Sequence, residues 1–303
     1  MDQFDQLKLA LEQCCPGMEL REQEPMSRHT TFRIGGPARL MALPRREEEA
    51  TACVRLAREQ KVRLVVLGNG SNLLAADEGI QALLLETSGL DRLERTGERE
   101  ITAGAGVTLA RLAAFAAGEG LSGLEFAHGI PGTLGGGVMM NAGAYGGEMV
   151  QVVRRTRYLT EEGVEAQAVG EEHAFAYRRS AFTGTQRVIL SSVLELTPGD
   201  PETIRARMAE LAAKRREKQP LEYPSAGSMF KRPEGYFAAA LIDQCGLKGF
   251  SVGGAQVSEK HAGFVVNRGG ATCADVLELV RQVQARVQEQ TGVTLEMEVK
   301  VLR

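Results

Sequence analysis

The sequence GIPGTLGGGVMMNAGAYGG at residues 129–147 decides the fold, because its eight glycines and one proline argue against the interior of an ordinary helix or strand. Glycine permits positive φ and lets main-chain N–H groups approach a ligand, and successive N–H groups that point the same way form an anion site. Asn141 and Tyr145 are its large polar side chains. A mobile linker would carry few apolar residues, whereas this stretch contains Ile130 and Leu134. It therefore predicts a binding surface for a large, flat, phosphorylated cofactor.

A second glycine-rich loop supports the same prediction. The apolar segment VRLVVLG at residues 62–68 reads as a buried strand that runs directly into GNGSN. Its glycines permit a tight turn and its short polar side chains add donors, which suits a pyrophosphate. The loop is not a Rossmann fingerprint, because Leu73 occupies the third glycine position. The sequence GAG at residues 104–106 fails the same test at Leu109, so we interpret it as a turn between a strand and a packing helix.

Composition limits the class of protein. The 303 residues are 43% apolar and 25% charged, which allows a large core and two or three domains. A net charge of -3 from 36 basic and 39 acidic residues disfavours a dedicated nucleic-acid binder, and the N-terminal sequence lacks the pattern of a secretory signal. Five cysteines without a C-x-x-C motif and four scattered histidines predict neither a disulfide framework nor a metal site. We expect a cytoplasmic protein without membrane insertion.

Periodicity predicts the remaining elements. Apolar stripes at helical spacing predict helices, and runs of β-branched or alternating apolar residues predict strands. We expect residues 30–34 to form a hairpin with residues 38–43 across a Gly-Gly-Pro turn. Residues 293–301 alternate strictly and predict a half-buried strand whose polar face carries Glu296 and Glu298. The predicted helices are 2–15, 47–59, 202–218, 236–245 and 273–290, and the other predicted strands are 152–169, 186–196 and 262–266.

Three segments offer polar side chains for chemistry, and each has an ordinary alternative. Arg178 in AYRRSAF is either a bidentate partner for a substrate carboxylate or an exposed charge. Ser228 in SAGSMFK lies in a turn of small residues, where a serine is usually structural. The two glutamates of the terminal strand face solvent unless that face borders a cleft. The residues alone leave these alternatives open.

Eight motifs, in order and across nearly the whole chain, carry a family resemblance. They are RHTTFRIGGPA, LGNGSNLL, GLEFAHGIPGTLGG, MNAGAYGGE, YRRSAF, SAGSMFK, SEKHAGFVVN and LEMEV. This pattern is similar to that of the UDP-N-acetylenolpyruvoylglucosamine reductase family. The resemblance implies an α+β fold with a two-lobed FAD-binding region of the vanillyl-alcohol-oxidase (PCMH) type and a smaller α/β substrate-binding domain. The implied ranges are a lead-in at 1–27, the FAD-binding region at 28–198 with lobes at 28–88 and 89–198, and the substrate domain at 199–303, whose strand 293–301 returns to the active site.

The resemblance also implies the chemistry. The family uses non-covalent FAD, with NADPH as co-substrate and no metal, to reduce UDP-N-acetylglucosamine enolpyruvate to UDP-N-acetylmuramate in peptidoglycan synthesis. Arg178 and Glu298 match its enolate-stabilising pair, and Ser228 matches its proton donor, whose alkoxide Lys231 is a candidate to stabilise. The implied substrate-binding residues are Tyr145, Tyr177 and Lys231. The implied cofactor-binding residues are Gly68, Asn69, Gly70, Ser71, Asn72, Gly129, Ile130, Pro131, Gly132, Gly135, Gly136, Asn141 and Gly143.

The chain departs from the family pattern in a few places. His128 stands where the family usually has a small residue. A histidine can tether flavin covalently in the wider fold, but we expect a polar loop contact here. GGGVMMN is bulkier and more flexible than the usual GGAVYMN. Roughly 50 residues separate Tyr177 from Ser228, which resembles the subclass that lacks a tyrosine-bearing substrate loop.

Two other functions stay open at this point. One is another FAD-dependent oxidoreductase of the same fold, of the 2-hydroxy-acid type, which would not need Ser228, Arg178 and Glu298 together. The other is a non-catalytic flavin or nucleotide-sugar binding protein, which would dispense with Ser228. In each case we expect a monomer that binds a small molecule.

Overall fold

The computed structural model describes residues 2–303, and the chain divides into two compact units. Unit 1 contains residues 1–22, 39–69 and 82–214, and unit 2 contains residues 23–38, 70–81 and 215–303. No helix within residues 2–303 combines the length and the apolar character needed to cross a bilayer. The predicted domain boundaries at residues 27 and 198 separate an FAD-binding region from a substrate-binding domain. They stay a prediction, because these two units do not show which ligand each range binds.

Helices form where apolar stripes and capping residues coincide. The Asp2 carboxylate accepts hydrogen bonds from the main-chain N–H groups of Phe4 and Asp5, and the Thr272 hydroxyl accepts one from Asp275. The predicted helices are all confirmed, with small shifts at their ends. The α-helices are Gln3–Cys14 (α1), Glu47–Glu59 (α2), Leu109–Gly118 (α3), Leu134–Met139 (α4), Pro201–Lys218 (α5), Ala238–Gln244 (α6) and Cys273–Thr291 (α7).

The strands are mostly short and antiparallel. They are Glu19–Pro25 (β1), Pro37–Leu43 (β2), Leu64–Leu67 (β3), Leu73–Ala75 (β4), Ile80–Glu86 (β5), Leu93–Arg95 (β6), Glu100–Gly104 (β7), Leu121–Ser122 (β8), Gly143–Ala144 (β9), Gly147–Glu148 (β10), Val153–Leu159 (β11), Glu165–Val169 (β12), Val188–Glu195 (β13), Thr197–Pro198 (β14), Ser225–Ser228 (β15), Ser251–Val252 (β16), Ala255–Val257 (β17), Phe264–Asn267 (β18) and Lys300–Leu302 (β19). Helices and strands occur together without a closed barrel among the described residues, so the α+β prediction is confirmed.

Unit 1 contains two hydrophobic cores. In one, α1 and α2 cover the sheet with strand order β1-β2-β5-β3, and Leu7, Val54 and Leu83 are buried there. In the other, α3 and α4 cover the antiparallel sheet β12-β11-β13-β7-β6, and Leu112 and Leu194 are buried there. The predicted strand 152–169 is a hairpin, because β11 and β12 pair with each other.

Unit 2 is built around the sheet β15-β18-β17-β16, with α6 and α7 contributing to one core. Two distant segments join this core, since Phe32 and Leu74 are buried in it beside Val276 of α7. Strand β4 also pairs in parallel with the final strand β19. The Asp77 carboxylate accepts hydrogen bonds from the first main-chain N–H groups of α7, at 2.8 and 3.0 Å. The segment that follows GNGSN is thus fixed to the C-terminal part of the chain.

Two strand predictions are wrong. Residues 30–34 form a turn instead of a hairpin arm, with the Arg33 N–H donating to the Thr30 carbonyl, and β2 lies between β1 and β5. Residues 293–301 join a ladder only at β19, and before it they pair through one isolated bridge, between Met297 and Phe230. Burial does alternate along them, since Leu295 and Val299 are buried. The alternation reports packing against the unit 2 core, whereas a strand needs continuous pairing, which here is limited to one isolated bridge before β19.

The glycine-rich stretch contains a helix, which the sequence analysis argued against. Helix α4 follows Thr133 and includes three consecutive glycines. Its main chain approaches the turn after β7 closely, because the Gly135 N–H donates to the Ala105 carbonyl at 2.9 Å. A Cβ on Gly135 would lie 3.0 Å from the Ala105 Cβ. This close main-chain approach and its hydrogen bond thus outweigh the poor helix propensity of glycine.

Candidate active site

The two predicted phosphate-binding loops meet within unit 1. The Asn69 side-chain amide donates to the Pro131 carbonyl at 2.8 Å. Gly68 faces Thr133 so closely that a Cβ on Gly68 would lie 2.5 Å from the Thr133 hydroxyl oxygen. The first loop therefore requires glycine where it touches the second.

Buried polar atoms at this place lack protein partners. Within residues 2–303, three buried side-chain atoms have no hydrogen bond, and they are Thr133 Oγ1, His128 Nδ1 and Gln219 Oε1. Two of the three lie in or beside the GIPGT motif. Thr133 is 3% exposed and does not cap α4, although it precedes that helix. An unsatisfied buried polar group costs about 1–3 kcal/mol, so a bound ligand with hydrogen-bonding groups would remove this cost. The residues present fit a phosphorylated cofactor.

Tyr145 lies at the tip of a two-residue hairpin between β9 and β10. Tyr145 and Gly146 both have positive φ, at 53° and 87°, as a type I′ turn requires. The Tyr145 side chain is 44% exposed. This turn holds an aromatic ring on the surface of the glycine-rich stretch, where a ligand can contact it.

Asn141 is engaged with protein at both ends of its amide. It is 2% exposed, and its Nδ2 donates to Glu148 Oε2 at 3.0 Å and to the Ala176 carbonyl at 3.2 Å. Its Oδ1 accepts from the Val150 N–H at 2.9 Å. A contribution of Asn141 to cofactor binding would therefore come from its main chain.

Arg178 lies in a tight turn rather than on a strand. The N–H and carbonyl of Ala176 pair with those of Arg179 at 3.0 and 3.1 Å, so Tyr177 and Arg178 form the two-residue tip. Arg178 has a φ of 54°, and its guanidinium lies 5.2 Å from the centroid of the Tyr177 ring. Tyr177 is 52% exposed. The turn presents a cation and an aromatic ring together.

Ser228 and Glu298 lie on adjoining segments of unit 2. Ser228 is exposed at the end of β15 and is paired with Phe264 of β18. The next residue, Met229, donates its N–H to the Gly263 carbonyl and accepts from the Glu298 N–H, each at 2.8 Å. The segments that carry Ser228 and Glu298 are thus held next to each other by main-chain bonds.

Lys231 has a different partner from the one that the sequence suggested. Its ammonium group forms an ion pair with Glu296, and its N–H donates to the Glu296 carbonyl at 2.8 Å. The Glu296 side chain is 71% exposed, whereas Glu298 is half-buried. The two glutamates that periodicity placed on one face therefore differ in environment.

The second half of the GNGSN loop belongs to unit 2. Gly70 has a φ of 57°, and a Cβ there would lie 2.0 Å from the His29 carbonyl oxygen. The Asn72 carbonyl accepts from the Lys300 N–H at 3.0 Å, and the Asn72 amide contacts the Glu298 carbonyl at 3.4 Å. Asn72 therefore supports the segment that carries Glu298.

His261 supports the Ser228 segment. Its ring packs edge-on against Phe264 at 4.9 Å, and its Nδ1 accepts from the Gly263 N–H. Burial lowers the pKa of His261 below its ordinary value. The sequence analysis did not assign roles to His261 or Thr133. His261 is distinguished by its burial and Thr133 by a buried hydroxyl without a hydrogen-bond partner, and both features appear only in the folded chain.

Comparison with known proteins identifies the family. Residues 219–302 match the family described as UDP-N-acetylenolpyruvoylglucosamine reductase, C-terminal domain, and residues 38–169 match the FAD binding domain family. The UDP-N-acetylenolpyruvoylglucosamine reductase of Agathobacter rectalis is 50% identical, covering 95% of both chains. That of Heliobacterium modesticaldum is 49% identical, covering 93% of this chain and 90% of its own.

Solved structures agree with this assignment. A crystal structure of UDP-N-acetylenolpyruvylglucosamine reductase from Thermus caldophilus superposes with a TM-score of 0.82 and 38% identity, covering 94% of this chain and all of that chain. A Phl p 4 variant described as a glucose oxidase has a TM-score of 0.50 and 13% identity, covering 74% of this chain and 51% of its own, so it shares the fold alone. The predicted FAD-binding fold is confirmed. The chain belongs to the UDP-N-acetylenolpyruvoylglucosamine reductase family.

Proposed function

We propose that this chain reduces UDP-N-acetylglucosamine enolpyruvate to UDP-N-acetylmuramate, with NADPH as the electron donor and FAD as the bound cofactor. The observation that carries this proposal is family membership at 50% identity over 95% of the chain. The product is a precursor of peptidoglycan, so the enzyme serves cell wall synthesis and, through it, cell shape and division.

The glycine-rich loops are the proposed FAD site. We assign to it the predicted loop residues 68–72 together with Gly129, Ile130, Pro131, Gly132, Gly135, Gly136, Gly143 and the main chain of Asn141, and we add Thr133. The contact between the two loops at Asn69 and Pro131 and the unsatisfied Thr133 hydroxyl support this assignment. The chemistry that FAD supplies when bound is hydride transfer from NADPH to the enolpyruvyl double bond. The protein binds, orients and shields the reacting groups.

Arg178 and Glu298 are proposed to stabilise the negative charge that develops on the substrate carboxylate as the double bond is reduced. A guanidinium can hold a carboxylate through two parallel hydrogen bonds, and a glutamic acid proton can donate a third. The tight turn at Arg178 and the half-buried position of Glu298 support these roles. Both residues would act more strongly on the enolate than on the substrate.

Ser228 is proposed to donate a proton to the carbon next to the carboxylate. Its exposed position at the end of β15, with the main chain held on both sides, supports this role. The exposed rings of Tyr145 and Tyr177 are proposed to contact the substrate. Lys231 is proposed to bind the substrate's negative groups after releasing Glu296.

We also propose that the enzyme is a cytoplasmic monomer, because its co-substrate NADPH is a metabolite of the cytoplasm and the family resemblance implies no partner subunit. Size-exclusion chromatography with light scattering tests the monomer. A mass of twice 32.7 kDa would contradict it.

The proposed activity is tested by following NADPH consumption by the purified yellow protein and identifying the product by mass spectrometry. Consumption should require the enolpyruvyl sugar nucleotide, and the product should be heavier by two hydrogens. Equal consumption with 2-keto acids, or reduction of the flavin by 2-hydroxy acids without NADPH, would indicate another flavoenzyme of this fold. FAD should stay in the supernatant after acid precipitation, whereas flavin in the pellet would indicate a covalent tether at His128.

A further inference from the structure

The turn that carries Arg178 is attached to the glycine-rich stretch at three points. The Asn141 amide donates to the Ala176 carbonyl at 3.2 Å. On the other side of the turn, the hydroxyls of Ser180 and Thr183 both donate to the Met139 carbonyl, at 2.8 and 2.9 Å. These bonds connect the C-terminal end of α4 with both arms of the turn, and every residue involved lies in unit 1.

Asn141 is itself fixed in place. Its φ of 43° is a left-handed conformation that asparagine adopts more readily than most other residues. Its second amide hydrogen is donated to Glu148 Oε2, and its Oδ1 accepts from the Val150 N–H. With the side chain 2% exposed and satisfied on both ends, Asn141 has no freedom to follow a moving turn.

We propose that Asn141 is a positioning residue for Arg178, and that its buried amide holds the turn in the orientation that bidentate carboxylate binding needs. This inference rests on the proposed function, in which Arg178 contacts the substrate carboxylate. It reassigns the Asn141 side chain from the cofactor site to the substrate site. The Ala176 carbonyl is the point of action, because the same residue closes the turn by pairing with Arg179.

The physical reason is the geometry of the guanidinium. Two parallel hydrogen bonds to a carboxylate require a fixed plane as well as a fixed position. A displacement of about 1 Å at a reacting group can reduce the rate about 100-fold. Arg178 lies within two residues of Ala176, so a shift at that carbonyl is transmitted directly to the tip of the turn.

Asn141→Gly is the variant of choice. It removes the amide and keeps the left-handed backbone, since glycine adopts positive φ without strain. Asn141→Asp is a second variant, because it keeps the acceptor for Val150 and loses the donor to Ala176. Lys61→Gly is the matched control, since Lys61 is exposed, lies in unit 1 and has a φ of 54°.

The test measures the two half-reactions of the FAD-loaded enzyme separately, with thermal melting to confirm folding. Asn141→Gly and Asn141→Asp should be reduced by NADPH within about twofold of the wild-type rate and should be reoxidised by the enolpyruvyl substrate about 10- to 100-fold more slowly. Lys61→Gly should match the wild type in both. In an Arg178→Ala background, Asn141→Gly should add less than about twofold, because the two changes act through one group.

Three outcomes would overturn the inference. A slow Arg178→Ala enzyme together with wild-type reoxidation in both Asn141 variants would refute the role of Asn141 and leave Arg178 in place. If the reoxidation rate of the Asn141→Gly, Arg178→Ala double variant falls by the product of the two single effects, Asn141 acts independently of Arg178. If Arg178→Ala itself reoxidises at the wild-type rate, the proposed role of Arg178 fails and this inference fails with it.

Discussion

Replacing Ser228 with alanine tests the proposed proton donor while leaving the fold intact. Ser228 is exposed, and its main-chain pairing with Phe264 does not use the hydroxyl. The packing at this point comes from Met229, which is 0% exposed. We therefore expect the free energy of unfolding to change by no more than about 0.5 kcal/mol. Loss of a general acid slows its step by about 10²- to 10⁴-fold, which is about 2.7–5.5 kcal/mol of barrier.

Anaerobic stopped-flow spectroscopy separates the two half-reactions of this variant. Reduction by NADPH should proceed at the wild-type rate, because no proton donor at position 228 is needed for it. Reoxidation at saturating enolpyruvyl substrate should be slow, and Ser228→Cys should recover part of the rate, since a thiol also donates. Ser251→Ala, at another exposed serine of unit 2, is the control. Wild-type reoxidation by Ser228→Ala would refute the assignment.

Three further predictions concern the acidic pair, a close main-chain approach and a buried histidine. Glu298→Gln should reduce turnover far more than Glu296→Gln, because the latter loses only an exposed ion pair; equal effects in steady-state assays would contradict this. Gly36→Ala should lower the free energy of unfolding, measured in urea, by at least about 1–3 kcal/mol, because the added Cβ would lie 2.1 Å from a main-chain oxygen. Gly118→Ala is the control and should leave that free energy unchanged, because its Cβ would meet nothing within 4 Å. Burial lowers the pKa of His173, so the unfolded state binds more protons than the folded state below about pH 6.5. The free energy of unfolding should therefore fall as the pH decreases through that range. A free energy of unfolding that does not change with pH, or a pH dependence that is the same in His173→Gln, would contradict this.

Local periodicity was sufficient to predict every α-helix except α4, which lies in the glycine-rich stretch. The apolar stripe of α7 at Val276, Leu279, Val280, Val283 and Val287 is buried, and the helix begins at a threonine cap and ends at a glycine. These signals lie within the helix itself. They need no knowledge of the rest of the chain.

The strands at the C-terminal end show why pairing was harder to predict. Residues 293–299 alternate like a strand and are buried like one, yet only β19 pairs in a ladder. Its partner β4 is more than 200 residues earlier in the chain. Alternation records which side of a segment is covered, and it contains no information on distant hydrogen-bond partners.

The candidate site was predicted residue by residue from motifs, but its supporting contacts were not. The GNGSN loop is divided between the units, so that Asn69 contacts Pro131 while Gly70 faces His29. The unsatisfied hydroxyl of Thr133 is visible only once the chain is folded. These features depend on long-range packing, which one sequence does not reveal.

The most direct test of the account is anaerobic titration of the purified yellow protein. NADPH should bleach the flavin absorbance, and the enolpyruvyl sugar nucleotide should then restore it with formation of one equivalent of the reduced product. This result would show that the same bound FAD accepts electrons from NADPH and passes them to the enolpyruvyl substrate. Flavin that NADPH bleaches but that only 2-keto acids reoxidise, or a protein that cannot be loaded with FAD, would contradict the account.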